Sequence, residues 1–298
     1  HALDRRSVLL SGGARGFAGA PPARAQTPAG VAETPMTPDA GGRFTIEVTL
    51  NKAGPFRFVV DSAAMGPVIA AGTAAKAGLA AKDGGFMVGA SGSQAVSQVT
   101  VQSYASGVFD RANQAMLVMP DAHLGSVHDG VVGIDAFAGR RLEFDFPAGR
   151  LRVGPSGPTP KGFAAVPSKL IYASFMIADV TVDGVRAKAL IDTGAGRTSA
   201  NPKLQAALGI AAGDARLTPA EPVRGATSQQ TAAWKASLGQ IRIVKVLFAA
   251  PVVTFADLAI YDSSGIGDGP ALILGIDQLR SLKGLAIDYP QGALQIRP

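Results

Sequence analysis

Apolar and polar residues alternate along Phe44-Thr45-Ile46-Glu47-Val48-Thr49-Leu50, which is the period of a half-buried strand. The chain then turns at Asn51-Lys52-Ala53-Gly54 and returns through Phe56-Arg57-Phe58-Val59-Val60 to stop at Asp61. The pattern predicts a hairpin whose second strand is buried at its end and terminates on an acid. The same layout recurs further on. Phe175-Met176-Ile177 opens a run that turns at Asp183-Gly184 and reaches Asp192 through Ala187-Lys188-Ala189-Leu190-Ile191. The two Phe and the two Asp keep the same separation, so the segments align without a gap.

The correspondence extends past the acids. After Asp192, Asn201-Pro202 reads as an N-cap followed by proline at the first helical position, with a stop at Gly209-Ile210. At the same offset after Asp61, an Ala-rich segment ends at Gly78-Leu79. Val88-Gly89-Ala90-Ser91-Gly92 then matches Val223-Arg224-Gly225-Ala226-Thr227 in character. Both halves close alike: Val131-Val132-Gly133-Ile134-Asp135 leads to Phe144-Asp145-Phe146-Pro147, and Ile273-Leu274-Gly275-Ile276-Asp277 leads to Ile287-Asp288-Tyr289-Pro290. A period this long excludes a solenoid and predicts two similar lobes, residues 42–154 and 170–298, joined by a Pro/Gly-rich linker at 155–169.

Composition narrows the class. Gly (37) and Pro (20) are abundant and the apolar runs are short, which favours strands and turns over a helical bundle. The net charge of +6 is spread thinly and forms no Lys/Arg cluster with interleaved aromatics, so no nucleic-acid site is read. With no cysteine, disulfides, thiolate metal sites and a cysteine nucleophile are excluded. No apolar run is long enough to span a membrane. Asp4-Arg5-Arg6-Ser7-Val8-Leu9-Leu10 is a twin arginine followed by apolar residues, and Ala23-Arg24-Ala25 fits a small-x-small cleavage site. Residues 1–25 are therefore expected to be a twin-arginine export signal, with periplasmic or otherwise exported localisation. Residues 26–41 are expected to be a flexible lead-in.

Two lobes packed about a pseudo-two-fold axis would bring Asp61 and Asp192 face to face. Two close carboxylates cannot both ionise cheaply, so they share a proton and titrate as a pair. One then serves as base toward a water and the other as acid toward the oxyanion that forms when the water attacks a peptide carbonyl. Ser62 and Thr193 are placed to hydrogen-bond into the opposite loop, and Gly194 lets the backbone come close to the dyad.

These motifs resemble the retropepsin-type aspartic proteases. The resemblance spans nearly all of residues 42–298, once per half, and is closest to the single-chain, internally duplicated bacterial members of that family. It is clear at Ile191-Asp192-Thr193-Gly194-Ala195 and Leu272-Ile273-Leu274-Gly275, and weaker at Asp61-Ser62-Ala63-Ala64, where Ala63 replaces the motif's glycine. The resemblance implies an all-β, mostly antiparallel fold of closed, barrel-like lobes with short helices. It also implies an extended polypeptide substrate bound in a cleft between the lobes. Flaps would cover that cleft at about Phe86–Gln98 and Val223–Trp234. A monomeric aspartic endopeptidase without metal or cofactor follows. The competing class is a degenerate, peptide-binding relative in which Ala63 is the lesion.

Other motifs read as structural. Asp262-Ser263-Ser264-Gly265 lacks the hairpin lead-in and is expected to be a loop. Asp135 and Asp277 are expected as helix caps, and Asp145 and Asp288 as turn residues. Asp121-Ala122-His123 and His128-Asp129 read as a solvated loop rather than a metal site. Tyr104 and Trp234 are expected to pack, with Trp234 near a flap. Alanine follows the acidic triplet in both loops, at Ala64 and Ala195, so no hydroxyl there stabilises the ionised dyad. The pH optimum is accordingly expected to be weakly acidic, around pH 5 to 6.5.

Overall fold

The computed structural model describes residues 30–121, 128–224, 227 and 229–298. The twin-arginine pattern, the Ala23-Arg24-Ala25 site, His123 and the Gly225-Ala226 part of the second flap lie outside the described residues.

In the first lobe, strands Phe44–Leu50, Ala53–Val60, Gly130–Val132, Val68–Ala70, Phe109–Met119 and Gly92–Ser106 pair in that spatial order. The last returns to the first through Thr49 opposite Ala105 and Leu50 opposite Tyr104, so the sheet closes on itself. Alternation along Phe44–Leu50 puts Ile46, Val48 and Leu50 inside, where they meet Phe58, Val60 and Tyr104. Tyr104 is fully buried and tilted against Phe109 with ring centroids 4.7 Å apart.

The second lobe repeats this ring with its long hairpin broken in two. Strand Gln230–Ser237 pairs with Val252–Phe255, and Gln240–Ile243 pairs with Val246–Ala249 and also with Phe175–Val182. Asp183, at φ 45°, lies beside the break, its carboxylate accepting the amides of Gly239 (3.0 Å) and Gln240 (2.7 Å). Phe175–Val182, Val185–Ile191, Ala271–Leu274 and Ser199–Ala200 complete the lobe.

A six-stranded sheet joins the lobes. Arg141–Asp145 of the first lobe pairs antiparallel with Gly284–Asp288 of the second, and the residues opposite one another at the middle are Glu143 and Ala286. Those two positions correspond in the internal repeat, so the pseudo-two-fold axis passes between them. Asp145 bridges the halves, accepting from Arg152 Nη1 (2.9 Å) and pairing with Arg297 Nη2 (3.1 Å). Burial opposes its charge, but hydrogen bonds from Arg152, the Ala148 amide and Arg297 prevail and hold its carboxyl below the usual range.

Several expectations need correction. Ala32–Pro35 and Thr37–Pro38, expected within a flexible lead-in, are strands: the first pairs with Arg150–Gly154 at the edge of the inter-lobe sheet. Its counterpart Ala164–Val166 lies in the expected linker and pairs with Ala293–Arg297 on the opposite edge. The gap-free match of Phe44 with Phe175 also fails. Val59 faces Thr45 whereas its equivalent Leu190 faces Ile177, so Phe44 corresponds to Met176. A bulge between Val48 and Leu50 absorbs the difference. Asp262 and Ser263 belong to a helix, Ala259–Ser263, rather than a loop. The short helices Ile134–Phe137 and Ile276–Leu279 are capped by Gly133 and Gly275, not by the aspartates. Asp277 instead accepts the Thr198 hydroxyl at 2.8 Å. Asp145 and Asp288 do serve their turns, accepting the amides of Ala148 (3.2 Å) and Gln291 (3.2 Å).

Candidate active site

Each acid stands at the end of its strand because a parallel neighbour fixes it there. The Asp61 amide donates to Val132 O (3.1 Å) and the Asp192 amide to Leu274 O (3.2 Å). One residue beyond each closing glycine, Ile134 N donates to Ala64 O and Ile276 N to Ala195 O, both at 2.8 Å. The far side of each acidic loop is thereby clamped by the strand beside it.

The loops lock onto one another through their hydroxyls. Ser62 N donates to Thr193 Oγ1 (3.0 Å), and Thr193 N donates to Ser62 Oγ (3.0 Å). Ser62 Oγ continues to Ile191 O at 2.9 Å, and Thr193 Oγ1 to Val60 O at 2.7 Å. Both side chains are buried, so each of these groups depends on its partner in the other lobe. Thr193→Val leaves the Ser62 amide and the Val60 carbonyl unmet. Chemical denaturation is expected to show a loss of about 3 kcal/mol, with activity falling alongside.

Within the grip the two carboxyls are held alike. Asp61 Oδ1 accepts the amides of Ala63 (2.8 Å) and Ala64 (3.0 Å), and Asp192 Oδ1 those of Gly194 and Ala195 (both 2.9 Å). The alanines that lack a hydroxyl thus still contribute their N–H. Asp61 and Asp192 hydrogen-bond to each other. Burial raises the pKa of both, and the charge of Asp61 raises Asp192 further. The Arg43 charge acts on Asp61 in the opposite sense to burial. The Arg43 guanidinium is held by Asp39 (Nε to Oδ2, 2.8 Å), and its approximate counterpart in the second lobe is the uncharged Phe175.

The unfolded carboxyl ionises near its ordinary value, while the folded Asp192 keeps its proton to higher pH. The native state therefore binds more protons in that window, and stability falls as pH rises through it. Asp192→Asn is expected to raise the melting temperature near pH 7 and to leave it unchanged near pH 3.5, as read by calorimetry at the two pH values.

The described residues of the two segments expected as flaps fall on hairpins, Lys82–Gly89 with Gly92–Ser106 and Thr218–Arg224 with Gln230–Ser237. The first reaches across to the second lobe. Ala90 O accepts the Ile260 amide (3.2 Å), Ser91 Oγ donates to Val223 O (3.3 Å), and Gly92 abuts Gln229. The two hairpins contribute to different apolar clusters: Met87 with Val68, Ala70 and Met119 in the first lobe, and Ala233 with Leu258, Tyr261 and Ile273 in the second, where Tyr261 OH is 3.2 Å from Ser199 Oγ. Trp234 is 47% exposed on the second flap. His128-Asp129, expected in a solvated loop, is instead packed in: His128 is buried, which lowers it to about 4, and Asp129 accepts from Arg57 N (2.8 Å) and Thr73 Oγ1 (2.9 Å). Sequence reasoning passed over Arg43 and Tyr261. Arg43 had a signal, a lone charge before the first strand; Tyr261 had none.

Two repeated β lobes, each delivering an acid-ended loop to a common centre, define a duplicated acid-dyad architecture. The aspartyl protease family model matches residues 46–136 and again 178–278, so the chain belongs to the aspartyl protease family, in a retropepsin-like form. No curated protein matches the chain.

Proposed function

We propose that this chain is an aspartic endopeptidase acting on extended polypeptides, with Asp61 and Asp192 as its catalytic dyad. The observation that carries this reading is the reciprocal bonding of Ser62 and Thr193, which brings the two acid-ended loops together with each buried carboxyl oriented by two backbone amides. Asp61, ionised, takes a proton from a water as its oxygen attacks the peptide carbonyl carbon. Asp192 passes its proton to the carbonyl oxygen. Asp61 then passes the proton it took to the amide nitrogen while Asp192 takes one back from a hydroxyl of the tetrahedral diol, so that the C=O bond reforms, the C–N bond breaks, and the acid and amine products leave with the dyad restored. The active unit is a monomer with lobes at 42–154 and 170–298, exported by the signal in residues 1–25. Cleavage of unfolded casein, blocked by a statine-type transition-state mimic, tests the activity; absence of cleavage would favour a peptide-binding role.

Ala63 bears on that alternative. Its amide still donates to Asp61, and its methyl group packs beside the second lobe's cleft cluster. Its φ is not among the positive ones, so the backbone conformation suits alanine. The wild type is expected to turn over slowly. Ala63→Gly should raise kcat severalfold while costing about 0.5–1 kcal/mol, read from peptide kinetics and thermal melts.

A further inference from the structure

Asp61 and Asp192 are equivalent in the repeat, but the residues across from them are not. Thr45 pairs with Val59, and that register continued by two places sets Arg43 opposite Asp61. In the second lobe Ile177 pairs with Leu190, and the same step sets Phe175 opposite Asp192. Residues opposite one another in a ladder share a face, so one acid has a cation across from it and the other an aromatic ring.

The cation is built in. Asp39, with a side chain 1% exposed, accepts the Arg43 amide (2.9 Å) and Nε (2.8 Å), and Arg43 Nη2 lies 2.7 Å from the same carboxylate. The Asp39 amide closes the turn on Arg43 O at 2.7 Å. The second lobe packs on this turn: Gly41 O is 3.6 Å from where a Cβ on Gly196 would stand, and Arg280 Nη1 is 2.8 Å from where one on Gly42 would stand. Arg43 is thus fixed between the two acidic loops.

The other groups around the pair do not distinguish its members. Burial raises Asp61, against the amides of Ala63 and Ala64 and the Arg43 charge. Burial also raises Asp192, together with the Asp61 charge and against the amides of Ala195 and Gly194. Each acid has two amides, so the difference in surroundings is the Arg43 charge. Tyr289, which senses Asp61, is kept neutral by burial, and His128, which senses Arg43, is neutral above about pH 4. We propose that Arg43 is a positioning residue for the dyad: its charge holds the pair's single negative charge on Asp61, which makes Asp61 the base toward water and leaves the pair's proton on Asp192. This role rests on the dyad reading above and gives the two carboxyls fixed, unequal tasks.

Carbon-13 NMR of the full chain labelled at the aspartate carboxyl carbons tests the role without turnover. The two dyad signals are identified by their loss in Asp61→Asn and Asp192→Asn. At about pH 5.5 the Asp61 signal is expected near the ionised position and the Asp192 signal near the protonated one. In Arg43→Gln the two signals should draw together, and the first ionisation of the pair should move to higher pH because the charged form loses a favourable neighbour. Arg43→Lys, which keeps the charge, should stay close to the wild type. On a peptide substrate, kcat/KM of Arg43→Gln should fall about threefold further on the acidic limb than near neutrality. Mere loosening of the turn would lower it alike at every pH and would not be rescued by lysine. If Arg43→Gln does not fold, the double variant Asp39→Asn/Arg43→Gln, which removes both charges of the pair, carries the decision. Signals that do not move in the folded variant, a wild-type proton found on Asp61, or an Arg43→Lys that behaves like Arg43→Gln overturns the proposal. Shifted signals without any turnover would sink the proteolytic reading alone, and turnover with unshifted signals would sink the role of Arg43 alone.

Discussion

Asp61→Asn and Asp192→Asn will each lower kcat on a peptide substrate by at least about a thousandfold. One carboxylate must accept the water's proton while the other transfers a proton to the carbonyl oxygen, and an amide can do neither. The two roles belong to one hydrogen-bonded pair, so losing either member removes both, and the double variant should be scarcely worse than either single one. Because burial disfavours the charge of Asp192, Asp192→Asn should fold at least as well as the wild type near pH 7. Activity lost together with stability retained separates chemistry from unfolding. A single variant that keeps turnover within tenfold of the wild type would remove that residue from the dyad.

Gly194→Ala carries the second-largest effect. A Cβ at that position runs into the Asp61 carboxyl group, which it would have to displace. The loop has no room to retreat, since Thr193 beside it is bonded to Ser62 and Val60, and Ala195 O holds the Ile276 amide. The carboxyl must move instead, away from the amides of Ala63 and Ala64 that orient it. A displacement of this size is expected to cost about a hundredfold in kcat and about 1–3 kcal/mol in stability. Kinetics and denaturation on the same preparation check both figures. Unchanged kcat in Gly194→Ala would mean that the loop relaxes freely and that the grip does not set the geometry. The contrast with Ala63, tolerated at the matching position, shows that the two loops are not mirror copies.

The acidic loops were legible because their chemistry is local. An apolar strand ending in Asp, a hydroxyl next to it and a small residue after it follow from backbone crowding around a buried carboxyl. The cap at Asn201 was equally local, its Oδ1 accepting Leu204 N at 2.9 Å. What stayed hidden depended on partners distant in the chain. Ala32–Pro35 has little strand character of its own and becomes a strand only because Arg150–Gly154 presents an open edge. The bulge between Val48 and Leu50 adds a residue on the way to Asp61, and a second Phe at the same separation from Asp192 concealed the shifted register. Asp145 was read from its turn, yet its second role needs Arg297, a residue of the other lobe.

The central claim is that one polypeptide supplies both halves of one site. Mixing purified Asp61→Asn and Asp192→Asn proteins, after joint unfolding and refolding, tests it most directly. If both loops of a working dyad come from the same chain, every molecule in the mixture lacks one carboxylate and peptide turnover stays at the level of the single variants. If loops from different chains pair instead, some sites receive both intact acids, and activity recovered to a sizeable fraction of the wild type would contradict the account.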